Sequence, residues 1–308
     1  MRSSLAVLAV VAVLAVCGAA DADPGHSGPR KTIAVGGFDA VETTGGATTA
    51  DGLAAMLTAA LLKDRRFVVV ERQAMAQIQW EQQLGQSGVA AQGTTPAPGQ
   101  MIGASVLVRG TVTKFDPHAS GGSFGIGGPG LFGGTAGALG VSNERAVVEI
   151  NLRLIDTATG RIIDSSTASG SASAGGFDIR TYSHSGMSIG GSAFTESPLG
   201  KACQDAVNRA VERIGSGMEH VAWSALVVEN TGDQLFIDAG ADQNMQPGMT
   251  LHVIRKIRDL TDPATGAVLE TLTEPVGDIQ LREIHDKVST AVVTSGSQPS
   301  RGDIVHAD

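Results

Sequence analysis

The residues best placed to do covalent chemistry in this 308-residue chain sit in short glycine-rich motifs. Gly121-Gly122-Ser123-Phe124-Gly125 and Gly186-Met187-Ser188-Ile189-Gly190 both fit G-x-S-x-G, which presents a nucleophilic serine on a sharp turn between a buried strand and a helix. Neither motif has that strand before it or that helix after it, so a secreted hydrolase acting through Ser188 is the minor reading. Gly125-Ile126-Gly127-Gly128-Pro129-Gly130 fits G-x-G-x-x-G, but a pyrophosphate is cradled only where a helix opens behind the glycines. No helical periodicity follows Gly130. The seven histidines are scattered, with no H-E-x-x-H and no metal-ligand spacing. The expectation is a protein that is not an enzyme and uses no cofactor or metal.

Cysteine points to a different chemistry. Leu14-Ala15-Val16-Cys17-Gly18 resembles a bacterial lipobox, in which the cysteine becomes the lipidated N-terminus and anchors the chain in a bilayer. It closes an uninterrupted apolar run, Leu5 to Val16, that follows Arg2. Twelve residues are too few to span a membrane, which takes ~20. Ala20-Asp21-Ala22 offers a competing site for ordinary signal peptidase. On either reading residues 1–22 are an export signal and the mature chain works outside the cytoplasm. The second cysteine, Cys203, falls on the apolar stripe of an expected helix and reads as a core residue.

The elements around these residues form two blocks. Residues 1–222 carry 18 acids and 16 bases, whereas residues 223–308 carry 13 acids and 6 bases. That step sets a boundary near Trp223 and gives domains 23–222 and 223–308. The overall charge of −9 argues against nucleic acid as a partner, because phosphate contacts need Lys and Arg. In the first block, strands are expected at Lys31–Phe38, Phe67–Glu71, Val106–Phe115, Val147–Ile155 and Arg161–Ser165. Leu53, Met56, Leu57, Ala60 and Leu61 mark a helix with Asp51 as its N-cap, and Gln73–Leu84 a second. Ser197-Pro198 opens a third, with Leu199, Cys203, Ala206, Val207, Ala210, Val211 and Ile214 on one face. Asp156-Thr157-Ala158-Thr159-Gly160 is a tight turn. The second block alternates short apolar stretches with turns, as in a small β-barrel. Its Arg301-Gly302-Asp303 reads as a turn into the last strand rather than an adhesion tripeptide. The fold class is α+β: a mixed sheet flanked by helices, then a small all-β domain.

Two insertions of about thirty residues, 116–146 and 167–197, interrupt the first block. Glycine totals 41, and ten of these lie between Gly121 and Gly140. Ser169, Ser171 and Ser173 alternate with Ala168, Gly170 and Ala172; Phe177 and Ile179 then alternate with polar residues, and Met187 and Ile189 continue the pattern on the return. Phe124, Ile126, Leu131 and Phe132 supply apolar residues to the first insertion, which is free of charge from Ala119 to Ser142. Membrane β-hairpins need strands of ~9–11 residues with such alternation, and a lone hairpin in lipid needs neighbours to pair its edges. The insertions read as membrane hairpins contributed to a shared barrel, or as flexible Gly/Ser loops.

Several segments resemble the CsgG family, the curli secretion channel. They are Lys31-Thr32-Ile33-Ala34-Val35 with Phe38, Ala55 to Leu61, Glu71-Arg72-Gln73, Gly103-Ala104 on to Gly110 and Phe115, and Asn151 to Asp156 with Thr159-Gly160. The resemblance covers roughly residues 31–215. It implies an outer-membrane lipoprotein anchored at Cys17, with protomers in a ring and two hairpins from each in one barrel contacting outer-membrane lipid. An unfolded secreted polypeptide or surface-polymer subunit would pass by diffusion. The loop that narrows the family's pore corresponds to Asp39–Thr49, with Thr43, Thr44, Gly45 and Gly46 as pore-loop candidates; it is short and has no aromatic and no Asn. Residues 223–308 resemble the C-terminal domain of the flagellar assembly protein T, from Asp238-Ala239-Gly240, Pro247-Gly248-Met249, Asp262 to Gly266 and Arg301-Gly302-Asp303. They imply docking of a periplasmic partner protein. The alternative is a periplasmic lipoprotein scaffold or accessory factor that forms no pore.

Overall fold

A computed structural model describes residues 28–40, 46–87, 89, 91, 101–120, 144–173, 192–232, 234–266 and 268–307. The first domain is one five-stranded sheet, ordered β2-β1-β3-β4-β5. Its strands are β1 (Lys31–Ala40), β2 (Phe67–Val70), β3 (Val106–Ser120), β4 (Glu144–Asp156) and β5 (Ile162–Ser173). β1 is parallel to β2 and β3, while β3, β4 and β5 form an antiparallel meander. The alternation along β4 is the reason it sits where it does. Ala146, Val148, Ile150, Leu152 and Leu154 are buried beneath helices, and Glu149, Asn151 and Arg153 lie half-exposed on the opposite face.

Helices α1 (Gly46–Asp64) and α4 (Pro198–Glu219) cover the buried face, and α2 (Met75–Gln86) follows β2. In α1, Leu53, Leu57 and Leu61 are fully buried, each contributing about 1.5–3 kcal/mol. Asp51 is not the cap of this helix: α1 begins at Gly46, so Asp51 lies on its exposed side inside the first two turns. The Ser197 hydroxyl does cap α4, accepting from Gly200 N–H at 3.0 Å, with Pro198 at the first helical position. α4 lies so close to β5 that a Cβ at Gly170 would overlap the Ala202 carbonyl and the Ala206 nitrogen. Among the described residues no helix is long and apolar enough to cross a membrane.

From Trp223 the chain builds a second core in a closed barrel, ordered β10-β7-β6-β11-β8-β9. Its strands are β6 (Ser224–Asn230), β7 (Leu235–Ile237), β8 (Thr250–Thr261), β9 (Val268–Ile284), β10 (Ser289–Gly296) and β11 (Ile304–His306). Leu235, Ile237, Leu251, Ile279, Leu281 and Val305 fill the interior. Arg301-Gly302-Asp303 is the turn into β11. Gly302 has φ +89°, and Asp303 is 4% exposed, held by the Arg255 guanidinium at 2.7 and 3.0 Å and by Ser300 N–H at 2.7 Å. An adhesion role would need that carboxylate outside.

Candidate functional site

The insertions are judged from their roots, which the sheet fixes. The β3–β4 ladder holds to its last pair, Ser120 opposite Glu144, and the β4–β5 ladder to Arg145 opposite Ser173. The chain therefore leaves the sheet at Ser120, returns at Glu144 and leaves again at Ser173, at three neighbouring points on one end. Residues 116–120, 144–146 and 167–173, expected inside the insertions, are sheet instead. In 167–173 the residues are all small; Ala168 is buried, and Gly170 lies directly against the α4 backbone.

The second insertion returns at the same end through α3 (Ser192–Glu196). Phe194, 3% exposed, plugs the core there, and the Ser197 hydroxyl donates to its carbonyl at 2.6 Å. The root of β5 is tied down as well. Asp205 on α4 accepts the Ser171 N–H at 3.2 Å, and Arg145 donates to the Ser171 hydroxyl at 2.6 Å. Phe194 and Asp205 were not singled out from sequence. A lone aromatic just before the Ser-Pro cap was the available signal. β1 runs parallel to β3 and ends on the same side, at Ala40 opposite Val112. Of the pore-loop candidates, Gly46 is the first residue of α1; Thr43, Thr44 and Gly45 lie outside the described residues, between Ala40 and Gly46. Cys17, Phe124, Ile126, Leu131, Phe132, Phe177, Ile179, Met187, Ile189, Ser123 and Ser188 also lie outside them.

The barrel is attached at the opposite end of the sheet. Arg30 N–H donates to Gln243 O at 2.8 Å, and Asn244 Nδ2 to Gly28 O at 3.1 Å. A cleft of about 510 Å³ lies between Thr32 and Ser105 on one side and Trp223, Asp238 and Lys287 on the other. Thirteen residues of β4, at ~3.4 Å each, set about 40 Å between this junction and the roots of the insertions. Burial lowers the Lys31 pKa, against the pull of Glu219, and its ammonium donates to Met218 O at 2.6 Å. Burial also pushes the Cys203 thiol up to about 12, as befits a core residue. Among the described residues no three His, Cys, Asp or Glu side chains converge on a metal position.

A family model described as "Curli production assembly/transport component CsgG" matches residues 29–242, the whole sheet domain and the first strands of the barrel. The chain belongs to the CsgG family. No curated protein matches it. Solved structures similar to it include the hypothetical protein CT253 from Chlamydia trachomatis (13% identity, TM-score 0.37, covering 60% of this chain and 95% of that one). The lipoprotein GNA1162 from Neisseria meningitidis is 16% identical, with TM-score 0.29 and coverage of 60% and 99%. The PelC dodecamer from Paraburkholderia phytofirmans is 13% identical, with TM-score 0.28 and coverage of 58% and 85%. Scores of this size define no shared fold over the whole chain, and the assignment rests on the family match.

Proposed function

We propose that this CsgG-family chain is a non-enzymatic outer-membrane lipoprotein, anchored through Cys17, whose protomers close into a ring. The two insertions of each protomer, 116–146 and 167–197, supply hairpins to one shared membrane barrel. An unfolded secreted polypeptide or a surface-polymer subunit, as in curli-like export, crosses or is anchored there. The barrel of residues 223–308 lies on the periplasmic side and takes up partners.

One observation carries this reading: both insertions spring from adjacent strands at one end of the sheet, whose ladders pair as far as Ser120–Glu144 and Arg145–Ser173, with the barrel about 40 Å away at the other end. The antiparallel order of β3, β4 and β5 puts both exits at that end, the side-by-side placement that two hairpins of one barrel require. The face of the sheet that α1 and α4 leave uncovered supports the ring, since Leu107, Thr111, Asn151 and Arg153 stand half-exposed there, ready for a neighbour. Purified full-length protein in a planar bilayer is expected to show discrete conductance steps, and electron microscopy in detergent to show rings. A protein that remains a monomer without detergent and passes no current would refute the proposal.

A further inference from the structure

β8 and β9 run on past the barrel wall. β8 pairs with β11 only through His252–Ile254, and β9 pairs with β10 only from Gly277 onward. Between these limits, residues 255–276 form a two-stranded ribbon whose described ladder partners are its own strands. A free two-stranded ribbon is marginal in water, and this one also exposes Ile257, Val268 and Leu269 by 57–70%.

Register separates its two faces. On one face the polar groups satisfy each other: Asp259 accepts from Lys256 Nζ and from Thr271 Oγ1, both at 2.7 Å. The other face carries Arg258 opposite Leu272 and, next along, Leu260 opposite Glu270. These four side chains make a square with half-buried leucines on one diagonal and exposed opposite charges on the other. Arg255, Lys256 and Arg258 are three of the six bases in residues 223–308. Arg255 is held by Asp303 and Lys256 by Asp259, whereas neither Arg258 nor Glu270 has an ion-pair partner among the described residues.

We propose that this face docks on the same face of a second copy of the chain. A two-fold axis along the Leu260–Leu272 diagonal puts each leucine over its own copy and each Arg258 over the partner copy's Glu270. The result is an isologous contact with an apolar centre and two ion pairs. Outside the ribbon, residues 223–308 carry nine acids and three bases, so two such domains repel each other elsewhere. The contact gives the periplasmic module a partner without involving the sheet domain.

The test measures mass against concentration for the full chain in detergent, by light scattering and sedimentation. Arg258→Glu faces Glu270 with a like charge, and Glu270→Arg faces Arg258 with one; each is expected to weaken association of copies about tenfold or more. The double variant Arg258→Glu/Glu270→Arg restores the pair and is expected within about threefold of the parent. Both side chains are exposed, so circular dichroism of all three variants should match the parent. Single variants that associate like the parent, or a double variant as weak as the singles, would overturn the proposal, as would a parent that does not associate. Electron microscopy of the same samples reports the sheet domain separately. Rings without this association sink the ribbon contact alone, and association without rings sinks the pore reading alone.

Discussion

Asp156-Thr157-Ala158-Thr159-Gly160 in the sheet domain and Asp262-Pro263-Ala264-Thr265-Gly266 in the barrel are one turn in two settings. In each, the Asp carboxylate accepts the N–H two residues on at 2.8 Å, and the Gly N–H returns to the Asp carbonyl at 2.8 Å. The glycines sit at φ +72° and +71°, a left-handed conformation that strains any residue with a Cβ. The settings differ through the second residue. Thr157 fastens its turn to the neighbouring chain, its hydroxyl reaching Ala104 O at 2.6 Å and its N–H Ser105 O at 3.1 Å. Pro263 has neither group, and its turn stands at the tip of the ribbon. Turn shape and turn anchoring are thus separate inputs, written at different positions of the same five residues.

The contrast between a fastened sheet and a free ribbon can be broken most severely at Gly170. Gly170→Val drives a side chain into the α4 backbone and is expected to cost more than about 3 kcal/mol, read as loss of the sheet domain's melting transition. Exchanging the second turn residues sharpens the contrast directly. Thr157→Pro deletes three hydrogen bonds, two from the hydroxyl and one from the N–H, and should cost about 1–3 kcal/mol by chemical denaturation. The converse, Pro263→Thr, should stay within about 0.5 kcal/mol, because Pro263 is exposed and has no N–H or hydroxyl to lose; equal costs at the two sites would abolish the distinction.

At the closing strand of the barrel, burial raises the Asp303 pKa, but the hydrogen bonds from Arg255 and Ser300 N–H outweigh it and hold the carboxyl below the usual range. A lowered folded pKa stabilises the fold above the unfolded value, about 3.9, and that contribution disappears as pH falls through the folded value. The barrel's melting temperature should therefore drop on acidification below about pH 4, and Asp303→Asn should lower it at pH 7 and flatten that dependence. The smallest expected effect is none: Cys203, buried and with its thiol pushed up to about 12, should resist a thiol reagent at pH 8 until the sheet domain unfolds.

Strong local chemistry was legible in the sequence. The Ser197-Pro198 cap, the alternation along β4 and the Asp156 turn all follow from side chains acting on their own neighbourhood. Features set by distant packing were not. Residues 167–173 read as part of an insertion because they hold only Ser, Thr, Ala and Gly, yet that smallness is what α4 demands of a strand lying beneath it. Val268–Leu272 and Gly277–Leu281 read as two of the short apolar stretches of the second block. They are one strand, which runs through Pro275 opposite Ile254 of β8, just beyond the last β10 pair. The shared exit of both insertions depends on strand order, which no single segment encodes.

The unequal strand lengths also have a mechanical meaning. A pull on the insertions runs along β3, β4 and β5, and most of their ladder pairs share the load in shear before any yields. β11 meets its neighbours through three residues on each side, so a pull on the C-terminus peels it pair by pair. Under tension the molecule would hold at the end where the insertions leave the sheet and give way first at the latch of the barrel.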